Sequence, residues 1–105
     1  MAENDGESVP PWFVYLIECR GGRIYTGIAI DVAARYAAHC NGKGARYTRA
    51  HPPLRLLASV AYPDRSSALK AEYRIKQLTA TEKQRLVADL VARSASSAYP
   101  ESKNP

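Results

Sequence analysis

Five side chains in this sequence have the types and spacing to do chemistry. Arg35 and His39 lie four residues apart in "DVAARYAAHC", so on a helix they stack on one face. A guanidinium and an imidazole so placed can both reach one phosphate. Glu72 in "ALKAEYRIKQL" shares a helical stripe with Ala68, Leu69 and Ile75, the stripe that should meet the core. A carboxylate there needs a partner. Lys76, four residues on, offers an ion pair, and a divalent metal ion would serve equally. Tyr15 and Tyr25 sit in "FVYL" and "YTG", two apolar runs separated by "RGG". Each alone reads as cross-strand packing.

The elements that must position these residues follow from the pattern. "WFVYLIEC" (12–19) is a continuous apolar, β-branched and aromatic run, and "RIYTGIAI" (23–30) follows the turn, which predicts a hairpin. Gly27 interrupts the second strand, a sign of a bulge or a close backbone approach. Asp31 offers an N-cap and Gly42 a stop, placing a first helix over 32–41. "GKGARYTRAHPP" reads as a basic loop closed by two prolines. "LRLLASVAY" (54–62) is a third strand. "PDRSS" caps a second helix that runs to about Leu78. Thr79 and Glu82 form a capping box for a third helix, 80 to about 93. The order β-β-α-β-α-α predicts an α+β fold, a small three-stranded antiparallel sheet flanked by helices.

The chain has 105 residues, enough for one domain and too few for two. The folded part is expected at 12–93, between a disordered acidic tail (1–11) and a second disordered tail (94–105). From residue 12 onward 15 Lys or Arg stand against 7 Asp or Glu, a balance of +8. No acid occurs between Asp31 and Asp64, an interval that holds Arg35, Lys43, Arg46, Arg49 and Arg55. Such one-signed charge fits a polyanion. Lys43, Arg46, Tyr47 and Arg49 interleave charge with an aromatic, as nucleic-acid contacts do. The two cysteines, Cys19 and Cys40, lie in regular apolar patterns, so a reduced, cytoplasmic setting is the simpler expectation. No apolar run approaches the roughly 20 residues of a membrane span, and no signal segment opens the chain.

Taken in order, Tyr15, Tyr25, Arg35, His39 and Glu72 resemble the GIY-YIG nuclease superfamily, most of all its small stand-alone bacterial members. The family's Gly-Ile-Tyr corresponds to Phe13-Val14-Tyr15 and its Tyr-Ile-Gly to Tyr25-Thr26-Gly27. Its helical Arg and His match Arg35 and His39, and its metal-binding Glu matches Glu72. The likeness covers residues 12 to 87, and Phe13 departs from the motif glycine. The resemblance implies a divalent-metal-dependent endonuclease, with one Mg²⁺ or Mn²⁺ on Glu72 and with Arg35 clamping phosphate oxygens. A single carboxylate argues against a two-metal mechanism. The residue types leave the general base as His39 or a tyrosine; the resemblance implies a tyrosine assisted by the His and the metal. Nothing in the sequence reads bases, so little sequence preference is expected, with DNA favoured over RNA. Two other readings are a nucleic-acid-binding module with weak or partner-dependent catalysis, and a subunit recruited to a DNA-repair complex. Both tyrosine hydroxyls are expected to open into a basic cleft beside Arg35, on the same side of the sheet as Glu72; burial on the face opposite Glu72 would contradict the shared site.

Overall fold

The computed structural model describes residues 9–98. Strands β1 (Trp12–Cys19), β2 (Arg23–Ala29) and β3 (Pro53–Tyr62) form one antiparallel sheet in the order β2-β1-β3. The helices are α1 (Val32–Cys40), α2 (Arg46–Ala50), α3 (Arg65–Lys76) and α4 (Ala80–Ala98). β1 is the central strand, which explains its unbroken apolar run: both of its faces are covered. Tyr15, Ile17 and Cys19 face one way and pack with Ala29, Tyr25, Val32 and Tyr36, under α1. Val14 faces the other way and packs with Ala68, Ala71 and Ile75 of α3. The hairpin turn holds Gly21 and Gly22 at φ +86° and +73°, conformations that exclude most side chains.

The helix starts are built by side chains that satisfy free backbone N–H groups. Asp31 accepts from the Ala34 N–H at 3.0 Å, and Asp64 from the Ser67 N–H at 2.8 Å. At α4 the Thr79 N–H donates to Glu82 at 2.8 Å while the Glu82 N–H donates to Thr79 Oγ1 at 3.1 Å, a reciprocal capping box.

Two boundaries differ from those expected. The basic segment is not all loop, because residues 46–50 form the short helix α2. Thr48 holds its first turn: its hydroxyl donates to the Ala45 carbonyl at 3.0 Å and accepts the Ala45 N–H at 3.3 Å. The last helix runs on to Ala98, so 94–98 are helix and not disordered tail. "SASSA" holds no helix breaker, and the first proline comes only at Pro100. The tail expectations for 1–8 and 99–105 lie outside the described residues. Cys19 is buried, Cys40 is exposed, and both are free thiols. Among the described residues no helix is long and apolar enough to cross a membrane.

Candidate active site

The centre of the site is made by two bare positions. In the hairpin register Tyr15 stands opposite Gly27. With no side chain on Gly27, the Tyr15 phenol lies across the edge strand: a Cβ on Gly27 would fall 2.5 Å from its hydroxyl and 3.1 Å from the Tyr25 ring. Gly44 does the same for His39, since a Cβ there would overlap the imidazole. The loop after α1 therefore closes directly over the ring.

His39, 1% exposed, is held at both nitrogens. Its Nε2 meets the Tyr15 hydroxyl at 2.9 Å and its Nδ1 meets Thr48 Oγ1 at 2.7 Å. Because the Thr48 proton goes to the Ala45 carbonyl, Thr48 accepts at the histidine, which places the imidazole proton on Nδ1. Nε2 is then a bare lone pair, and the Tyr15 O–H donates to it. The chain runs Tyr15 O–H to His39 Nε2, then Nδ1–H to Thr48.

The electrostatics agree with that assignment. Burial pushes the Tyr15 hydroxyl up to about 12; the neighbouring Tyr25 adds to the rise, Arg35 draws it down and Glu72 raises it again. Burial, then the charge of Arg35, hold His39 below its ordinary value. At neutral pH the phenol is protonated and the imidazole is neutral. Arg35 is half-buried and donates from Nη2 to the Gly44 carbonyl at 3.4 Å, leaving further N–H groups free. Tyr25 packs its ring 4.9 Å from His39 and 6.3 Å from Tyr15, between centroids.

Two parts of the expected geometry are corrected. Tyr15 does not open into a cleft; it is 1% exposed, because it packs beneath α1 with its hydroxyl against His39. Glu72 is not on the same face as the tyrosines, because α3 packs on the opposite side of the sheet, and this placement counts against the single shared site expected of the five residues. What joins the two faces is the sheet edge. Tyr25, Thr26 and Lys76 line one groove over β2, and the charge of Glu72 is the smallest of the influences on the Tyr15 hydroxyl. Glu72, with its side chain 16% exposed, pairs with Lys76 at 3.1 Å, so the bland alternative for this carboxylate is present in the fold.

The four basic-segment residues divide. Tyr47 reaches the site, its ring 5.8 Å from Tyr25 and 4.8 Å from His51. Lys43, Arg46 and Arg49 are exposed, on α2 and the loop before it, and among the described residues they make no side-chain hydrogen bond or ion pair with the site residues. Sequence reasoning missed Thr48 and Gly44. A threonine in a basic segment carries no signal of its own; only the second nitrogen of a buried His39, which demands a partner, could have pointed to it.

The family model for the GIY-YIG catalytic domain matches residues 11–85. A UPF0213 protein of Cupriavidus pinatubonensis is 56% identical over 72 residues, 69% of this chain and 80% of the relative. The UPF0213 protein YhbQ of Escherichia coli is 52% identical over 79 residues, 75% of this chain and 79% of the relative. A solution NMR structure of a UPF0213 protein from Bacillus halodurans is 42% identical, covers 74% of this chain and 83% of that one, and superposes with a TM-score of 0.48.

Proposed function

The chain belongs to the GIY-YIG catalytic-domain family, and on that footing we propose that it is a divalent-metal-dependent endonuclease. It hydrolyses phosphodiester bonds in nucleic acid, DNA in preference to RNA, with little sequence specificity. The observation that carries the reading is the oriented chain from Tyr15 through His39 to Thr48.

A phenol held near 12 is no standing phenolate, so Tyr15 cannot act as a base alone. Wired to a neutral imidazole, it can. As an attacking water gives its proton to the Tyr15 oxygen, the phenol proton passes to His39 Nε2. Thr48 keeps the Nδ1–H donated and so stabilises the imidazolium. The hydroxide adds to phosphorus and the P–O bond to the leaving oxygen breaks. The leaving alkoxide takes a proton from solvent, and the proton on His39 Nε2 passes back to the Tyr15 oxygen as the Tyr15 hydroxyl gives its own to solvent, which restores the neutral imidazole and the phenol. Arg35, whose guanidinium acts on the same Tyr15 hydroxyl, holds the non-bridging oxygens beside it. Tyr25, half-buried in the groove, orients the water or the phosphate.

Glu72 fits a metal ligand of a particular kind. It is a half-buried hard oxygen donor with a displaceable lysine partner, and no cluster of three or more His, Cys, Asp or Glu is gathered among the described residues. That donor set suits one Mg²⁺ or Mn²⁺ completed by water and substrate oxygens, not a closed protein cage. When bound, such an ion supplies charge neutralisation at the phosphate and the leaving oxygen. We place the activity in the cytosol on the ground of the two free cysteines.

One observation favours the second reading, a binding module with feeble catalysis: Tyr15 and His39 are both closed off from solvent. The test separates the two. Wild type and Glu72→Ala, purified alike, are given duplex, flap and single-stranded DNA and RNA with Mg²⁺, Mn²⁺ or chelator. Metal-dependent cutting by wild type alone is the expected result. Salt-sensitive binding without cleavage of any substrate would favour the second reading, and equal cutting by both proteins would mark a contaminant.

A further inference from the structure

A groove leaves the proposed active site along the edge of β2 and ends at the start of α4. Its first part, about 310 Å³, has Tyr25, Tyr47, Lys76 and Lys83 in its walls. Its second, about 220 Å³, continues past Tyr47 and Lys83 to Arg23. No acid lines either part. Lys83 and Arg23 have no carboxylate partner among the described residues. Tyr47 stands 39% exposed between the two parts, its inner side against Tyr25.

Cations on both sides of a partly exposed aromatic ring suit a nucleotide, with its charge on the lysines and its sugar or base on the ring. We propose that this groove is a second nucleotide subsite: Lys83 and Arg23 hold the phosphodiester adjacent to the one cleaved, and Tyr47 packs the nucleoside between them. The proposal rests on the nuclease reading and adds residues to it. Lys76 stands where the two subsites meet. In the free protein it neutralises Glu72 at 3.1 Å. An incoming phosphate offers it a second anion, so occupancy of the groove draws Lys76 off and leaves the carboxylate open.

The test is binding of a short fluorescently labelled DNA oligonucleotide, single-stranded and duplex, followed by anisotropy in chelator over a series of salt concentrations. Lys83→Gln is expected to weaken binding about threefold and to lower the slope of log affinity against log salt by about 0.7 to 0.9, the loss of one phosphate contact. Adding Arg23→Gln lowers it by as much again. Tyr47→Leu weakens binding with the slope unchanged, since stacking releases no counterions. Arg93→Gln, at the far end of α4, leaves both quantities at wild-type values. A wild-type slope for Lys83→Gln, or an equal loss in Arg93→Gln, overturns the subsite. Circular dichroism of each variant confirms that it is folded. Because nothing is cleaved in chelator, failure here leaves the nuclease reading standing, and failure to cut leaves the subsite standing.

Discussion

At the scale of single residues, the proposed catalysis turns on which atom holds which proton. In the proposed mechanism His39 serves only while Nε2 is unprotonated, and the proton sits on Nδ1 because Thr48 has spent its own on Ala45. On the proposed mechanism Thr48 is thus a positioning residue. Thr48→Val keeps the shape and removes the acceptor, leaving a buried N–H unpaired at a cost of about 1–3 kcal/mol. We expect kcat to fall about tenfold with KM nearly unchanged, since general-base catalysis as a whole is worth about a hundredfold or more. Steady-state kinetics check the split, with Thr48→Ser as the rescue. A rise in KM alone would assign Thr48 to substrate binding instead. His39 and Tyr15 could be picked out in the sequence as types. Their wiring could not, because it depends on a threonine nine residues from His39 on an element too short to leave a periodic signal.

At the scale of elements, β2 matters as an edge and as a bare surface. Gly27 lets the Tyr15 phenol cross the strand, and α3, which carries Glu72, packs on the other face. Gly27→Ala drives a methyl against both tyrosines. We expect at least a hundredfold loss of cleavage while nucleic-acid binding changes little, measured on the same preparation by single-turnover cleavage and by anisotropy; loss of binding with cleavage retained per bound substrate would contradict it. The hairpin, α1, β3 and the caps of α3 and α4 were readable because each has a local cause: alternation, an apolar run, or an Asp or Thr in capping position. The relation of Glu72 to the tyrosines was not readable. Helical spacing shows that Glu72 faces a sheet, but not which side, and that side is decided by how α3 crosses from β3.

At the scale of the whole molecule, buried titratable groups tie stability to pH. His39 is held below its ordinary value, so the unfolded chain binds its proton more readily than the native one. That stability is fully present above about pH 6.5 and falls as pH drops below it. Tyr15 is raised to about 12, so its contribution is complete below about pH 10 and fades as pH climbs toward 12. The Asp64 carboxyl, held below its usual range by hydrogen bonds from Ser67, matters only at more acid pH. Denaturant midpoints across pH are expected to fall on both limbs, and His39→Gln is expected to flatten the limb just below pH 6.5; an unchanged acid limb would show that His39 does not set it. The central claim is that Tyr15 and Glu72, from opposite faces of the sheet, act on one phosphate. It is tested most directly by nicking of supercoiled plasmid in Mn²⁺ by wild type, Tyr15→Phe and Glu72→Ala, purified in parallel and checked for equal melting. The account predicts nicking by wild type and at least a hundredfold loss in each variant. Nicking by either variant at the wild-type rate would contradict it.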